Sequence, residues 1–122
     1  MTNTKAELME KNLLQVWNER DAGKRQIAIE GIYQNDSTFY EGNSGISGHD
    51  AINRKIGETL KTLPGDFVFQ ILKPASVNND MGRLNWGVGP VDGPVARTGM
   101  DIALFRDGRV QSLYVFLDEM PT

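Results

Sequence analysis

Residues 97–118 read RTGMDIALFRDGRVQSLYVFLD, from Arg97 to Asp118, and decide the fold. Two runs rich in Ile, Leu, Val, Phe and Tyr flank the tetrad Arg106-Asp107-Gly108-Arg109. An Asp-Gly pair between such runs predicts a tight antiparallel hairpin, because glycine accepts the positive φ that the turn demands. Asp101 stands inside the first run, Gly99 to Phe105, among apolar and small neighbours. A carboxyl group in the middle of a buried strand is costly unless it is hydrogen-bonded, paired or protonated. Strand alternation leaves open the other orientation, toward solvent. If Asp101 points inward, Ala103 and Phe105 share its face, and the facing strand supplies Leu113, Val115 and Leu117.

The chain before this hairpin reads as strands and, earlier still, as helices. Gly82 to Gly89 sets Leu84, Trp86 and Val88 on one face, and Asp66 to Lys73 alternates Phe67, Phe69 and Ile71 against Val68, Gln70 and Leu72. Asn78-Asn79-Asp80 predicts a turn, and Pro90-Val91-Asp92-Gly93-Pro94 has too much proline to pair. Near the start, Thr4-Lys5-Ala6-Glu7 has the spacing of a capping box. It predicts a helix to about Arg20 with Ala6, Met9, Leu13, Val16 and Trp17 in one stripe, stopped at Gly23. A second helix is expected over about Lys24 to Tyr33, its inner side carrying Ile27, Ala28, Gly31 and Ile32. Gln34 to Ser37 is turn chemistry, Thr38 to Glu41 a short strand with Phe39 and Glu41 on one face, and Gly42 to Gly45 a loop. Ser47 is placed to cap a third helix, about Gly48 to Leu63, carrying Ala51, Ile52, Ile56 and Leu60 until Pro64-Gly65 ends it.

This order predicts one α+β domain over residues 1–122, with three helices packed on a strongly curved antiparallel sheet. Such a sheet wrapped around a long helix encloses a one-ended cone, a place where a small ligand binds.

Composition narrows the function classes. Hydrophobic residues make up 39% and charged residues 24%, ordinary values for a globular protein. The net charge of −3 comes without any basic block, so neither nucleic acid nor an anionic membrane is an expected partner. The absence of cysteine removes disulfides, thiol nucleophiles and Cys-based metal sites; with a single histidine, no metal site is expected. No run reaches transmembrane length, and the start, MTNTKAELMEKN, is too polar for a signal peptide, so a cytoplasmic location is the expectation.

Three pieces, in this order, carry a family resemblance. They are Tyr33-Gln34-Asn35-Asp36-Ser37-Thr38-Phe39-Tyr40-Glu41, then Ile46-Ser47-Gly48-His49-Asp50-Ala51-Ile52, then Gly99-Met100-Asp101 with Asp107-Gly108-Arg109-Val110 and Leu113 to Asp118. The chain resembles the nuclear transport factor 2 (NTF2)-like superfamily, within it the SnoaL-like and ketosteroid isomerase-like proteins. The resemblance implies a cystatin-like cone. It also implies an acidic base near the end of the first strand, which falls on Glu41, and an oxyanion-binding, protonated Asp, which falls on Asp101. Those isomerases add a Tyr from the first helix, about one turn before Asp21; this chain has Val16 and Trp17 there. The family is commonly homodimeric through the outer face of the sheet, where Tyr114 and Phe116 stand here.

Two functions are therefore expected in parallel. One is a cofactor-independent isomerase or cyclase, in which Glu41 takes a proton next to a carbonyl and neutral Asp101 donates to the developing enolate. The other is a non-catalytic module that binds an apolar ligand or mediates dimerisation. Either way Trp17, Phe39, Trp86, Leu113, Val115 and Leu117 are the expected pocket wall. Glu41 could equally be a solvated edge carboxylate, and His49 and Arg97 are secondary candidates that solvent exposure explains as well. An epoxide hydrolase of the same fold needs an Asp-Arg-Asp set that this chain does not assemble.

Overall fold

The structure is a computed structural model, and it describes residues 3–118. Thr4 caps the first helix as the spacing predicts: its Oγ1 accepts from the Glu7 backbone at 3.1 Å, and Glu7 Oε1 accepts from the Thr4 backbone at 3.0 Å. Helix α1 (Lys5–Lys11) runs on as a π-helical segment, Asn12–Trp17. It ends there rather than at Arg20, and the wider π turn carries Asn12 into the interior beside Leu13, Val16 and Trp17. Gly23 is not a helix stop. It lies inside α2 (Ala22–Ile32), which Asp21 caps by accepting from the Lys24 backbone at 2.9 Å. The buried side of α2 is Arg25, Ile29 and Ile32, whereas Ile27, expected inside, is 73% exposed. A buried arginine breaks the apolar pattern that periodicity relies on. Arg25 lies within the protein because Asn53 Oδ1 and the Glu19 carbonyl accept from its guanidinium at 2.5 and 2.6 Å.

Strand β1 (Tyr33–Glu41) is longer than expected. The polar run Gln34 to Ser37, read as a turn, is instead strand interrupted by a register shift against its neighbour. Its exposed Asp36 pairs with Arg106 at 3.0 Å. Only Gly42 and Asn43 make the following turn, and Ser44–Ser47 form β2, a hairpin partner of β1. Ser47 does not cap α3 (His49–Lys61): its hydroxyl is 2.8 Å from that of Thr38, and Gly48, at φ 93°, takes the cap position. Helix α3 buries Ile52, Ile56 and Leu60.

The remaining strands are β3 (Phe67–Ile71), β4 (Ser76–Asn78), β5 (Met81–Pro90), β6 (Arg97–Arg106) and β7 (Arg109–Leu117). The curved, open sheet has the order β2-β1-β7-β6-β5-β3, with β4 paired to β5. The sheet is not wholly antiparallel, because β1 runs parallel to β7. Only short turns dictate antiparallel pairing, and these two strands are separated by α3 and most of the sheet. The β6–β7 turn has the expected form, with Asp107 at φ 50° and Gly108 at φ 79°.

Registers across the sheet place the important side chains. Glu41 on β1 is opposite Val115 on β7, Val115 is opposite Asp101 on β6, and Asp101 is opposite Leu84 on β5. These four residues form one row on one face of the sheet. The neighbouring row brings Phe39 opposite Leu113, both fully buried.

Candidate functional site

A cavity of about 200 Å³ lies between the inner face of the sheet and the helices. Leu13 and Trp17 enter it from the first helix, Thr59 from α3, and Thr62 and Leu63 from just beyond that helix. The sheet contributes Glu41, Val115, Leu117, Asp101 and Trp86, with Phe69 and Val88, and Arg97 stands at the strand end. The wall is mostly apolar, and its charged groups are Glu41, Arg97 and Asp101.

Asp101 is inward and only 2% exposed. Trp86 Nε1 donates to its Oδ1 at 2.9 Å, whereas Oδ2 has no partner among the described residues. Burial pushes the Asp101 carboxyl up to about 7, and the Trp86 N–H pulls weakly the other way. The Tyr33 hydroxyl, buried nearby, donates to Asn12 Oδ1 at 2.6 Å. Burial first and the Asp101 charge second hold its pKa well above the ordinary tyrosine value.

Glu41 lies two strands away in the same row, roughly 10 Å from Asp101 between backbones. Its side chain is 27% exposed, and Lys55 on α3 stands 3.5 Å from its Oε1. The two carboxyl groups thus border one cavity in opposite surroundings, one dry and one at the rim beside a cation.

Four of the expected wall residues, Trp17, Trp86, Val115 and Leu117, do line the cavity. Phe39 and Leu113 do not; they are core one row deeper, Phe39 packing on Trp17 with ring centroids 6.1 Å apart. His49 is turned away, its Nε2 lying 3.0 Å from the carbonyls of Tyr33 and Gln34. Arg97, expected to be solvated, is exposed but also borders the cavity. Thr59, Thr62 and Leu63 were not legible, since Thr59 lies off the apolar stripe of Ile52, Ile56 and Leu60 in α3, and Thr62 and Leu63 lie just past its end. Among the described residues, no group of three His, Cys, Asp or Glu side chains is placed to hold a metal ion. No helix among them is long and apolar enough to cross a membrane.

No protein-family model matches the sequence, and no curated protein matches it. Solved structures do. A proposed isomerase of the SnoaL-like family from Agrobacterium tumefaciens str. C58 superposes with a TM-score of 0.83 at 19% identity, over 92% of this chain and 95% of that one. The chain has the NTF2-like fold. An NTF2-like protein of unknown function from Exiguobacterium sp. 255-15 matches at TM-score 0.70 and 21% identity, over 93% of this chain and 99% of that one. A proposed ketosteroid isomerase from Kribbella flavida DSM 17836 matches at TM-score 0.73 and 17% identity, over 100% of this chain and 84% of that one. The NTF2-like fold is thus shared among structures with different proposed roles, so activity has to be argued from the cavity itself.

Proposed function

We propose that the protein is a cofactor-independent isomerase or cyclase that abstracts a proton next to the carbonyl of a hydrophobic substrate. The observation that carries this reading is the pair Glu41 and Asp101, bordering one apolar cavity from either side of Val115. A carboxylate at the rim can accept the α-proton, and a buried neutral carboxyl can donate a hydrogen bond to the enolate oxygen as charge develops there. Asp101 is dry and Glu41 sits at the rim beside Lys55, and carboxyl groups in different surroundings can divide acid and base roles. Val16 and Trp17 replace the first-helix tyrosine that the resemblance implies, so the oxyanion would rest chiefly on Asp101.

The test is exchange of the α-protons of 2-tetralone in deuterated buffer, followed by proton NMR. Enzyme-dependent exchange is expected, falling by about a hundredfold or more in Glu41→Gln. Binding of the ketone without any catalysed exchange would remove the catalytic reading. It would favour the alternative, an apolar-ligand-binding module, for which the 3.5 Å contact between Lys55 and Glu41 speaks: an ion-paired carboxylate is a structural group as readily as a base.

The proposal extends to a homodimer. On the outer face of the sheet Tyr40 and Tyr114 stack with centroids 4.6 Å apart, and Phe116 beside them is 57% exposed. Exposed aromatic area of this kind is typical of interfaces.

A further inference from the structure

The proposed donor role of Asp101 requires its proton to sit on one particular oxygen. Trp86 bears on that choice. A neutral carboxyl has one hydroxyl oxygen that donates and one carbonyl oxygen that only accepts. The indole N–H can only donate, and its partner is Oδ1; the carbonyl oxygen of a neutral carboxyl is the stronger acceptor, which favours Oδ1 as the carbonyl and Oδ2 as the oxygen that carries the proton. Oδ2 is buried and has no partner of its own among the described residues.

The indole is held in place from outside its own strand. Gly99 on β6 lies opposite Trp86 in register, and a Cβ there would collide with Cζ2 and Cη2 of the ring. Phe69 packs against the ring edge-on, with centroids 5.5 Å apart and planes at 65°. The absence of a side chain at Gly99 therefore lets the ring lie close to β6, within reach of Asp101 two residues along.

We propose that Trp86 is a positioning residue that turns Asp101 Oδ2 into the cavity's hydrogen-bond donor, and that the ligand it selects is a one- or two-ring compound presenting an acceptor oxygen. The size follows from the cavity. An apolar cavity of about 150 Å³ admits benzene; one of about 200 Å³ has room for little more than a bicyclic ligand. This inference rests on the proposed function for the donor role of Asp101 and not for the proton abstraction by Glu41.

The charged and titratable groups around Asp101 are few. Tyr33 and Glu41 come from β1, Lys55 is engaged with Glu41, Arg97 lies on Asp101's own strand, and the facing positions of β5 and β7 are Leu84 and Val115. The one histidine, His49, lies against the Tyr33 and Gln34 carbonyls outside the cavity, so a midpoint shared by the Trp86 indole and the Asp101 carboxyl is assigned to Asp101. Two measurements test the role of Trp86. In the unsubstituted protein the indole N–H resonance of Trp86, assigned with a Trp17→Phe variant, should move with the Asp101 carboxyl resonance through a midpoint near 7, with Trp17 as the reference. In Trp86→Phe, the Asp101 midpoint should rise, and 2-naphthol should lose at least tenfold of its binding preference over naphthalene. An indole resonance that ignores the Asp101 titration, or an Asp101 midpoint unchanged in Trp86→Phe, overturns the proposal. Equal binding of naphthol and naphthalene by the unsubstituted protein overturns it too, through the donor role. Tighter binding of a four-ring phenolic steroid than of 2-naphthol overturns the size class. Intact naphthol preference without any proton exchange would instead sink the catalytic reading and leave this one standing.

Discussion

A carboxyl group whose pKa is raised by burial weakens the fold as pH rises. Asp101 moves from the ordinary aspartate value near 4 to about 7. Below about pH 4 the group is neutral in folded and unfolded chains alike and contributes no penalty. Between about 4 and 7 the unfolded chain loses its proton while the folded one retains it, and the penalty grows; above 7 it is complete, on the order of 4 kcal/mol. Asp101→Asn keeps an oxygen for the Trp86 N–H and stays neutral. It should therefore raise the melting temperature at pH 8 and make no difference near pH 4, as measured by thermal unfolding across that range. Equal melting temperatures at pH 8 would mean that the Asp101 site is wet. The sequence exposed this residue because a lone carboxyl among Gly99, Ala103 and Phe105 violates the burial rule of its own strand. It could not expose the partner. Trp86 meets Asp101 only through the β5–β6 register, which places Leu84 and not Trp86 directly opposite. Thr59 and Thr62 were hidden for a simpler reason: nothing in two hydroxyl residues near a helix end marks the side they face.

At the scale of elements, local signals were legible where a backbone conformation demands a residue type. The Asp107-Gly108 turn has positive φ at both positions, 50° and 79°, and the capping box at Thr4 and Glu7 is closed in both directions. Gly108→Ala forces a Cβ into a left-handed position in open space, so only backbone strain is felt, and a loss of about 1 kcal/mol is expected from urea unfolding. No change would mean that the turn relaxes to another type. Signals that depend on distant partners were not legible. Strand β2 exists because β1 offers it an edge, and Gln34 to Ser37 stay extended because β7 pairs alongside. The parallel sense of β1 and β7 has no local signature at all. The π-helical turn at Asn12–Trp17 likewise follows from packing, since it brings Asn12 to the buried Tyr33 hydroxyl.

For the whole molecule, a mixed sheet carries an apolar cavity on one face and stacked tyrosines on the other. The inner face is proposed for a ligand and the outer for a second copy of the chain. Phe116→Asp, at a 57% exposed position outside the cavity, should shift light scattering from dimer to monomer while leaving ligand binding intact. A monomer before substitution would remove the dimer proposal without touching the site. The general architecture was legible because two of the three helices precede every strand, the third precedes the long strands, and β6 alternates regularly along its length. The activity was not, since the fold carries many roles and the decisive contacts join residues from β1, β5, β6, β7 and the helices. Asp101 is a buried carboxyl that keeps its proton well above the ordinary aspartate range and is about half protonated at pH 7, and the sharpest test is the carbon NMR resonance of its side chain followed against pH. A midpoint near 7 is expected. A midpoint near 4, the value of an ordinary solvated aspartate, would contradict it.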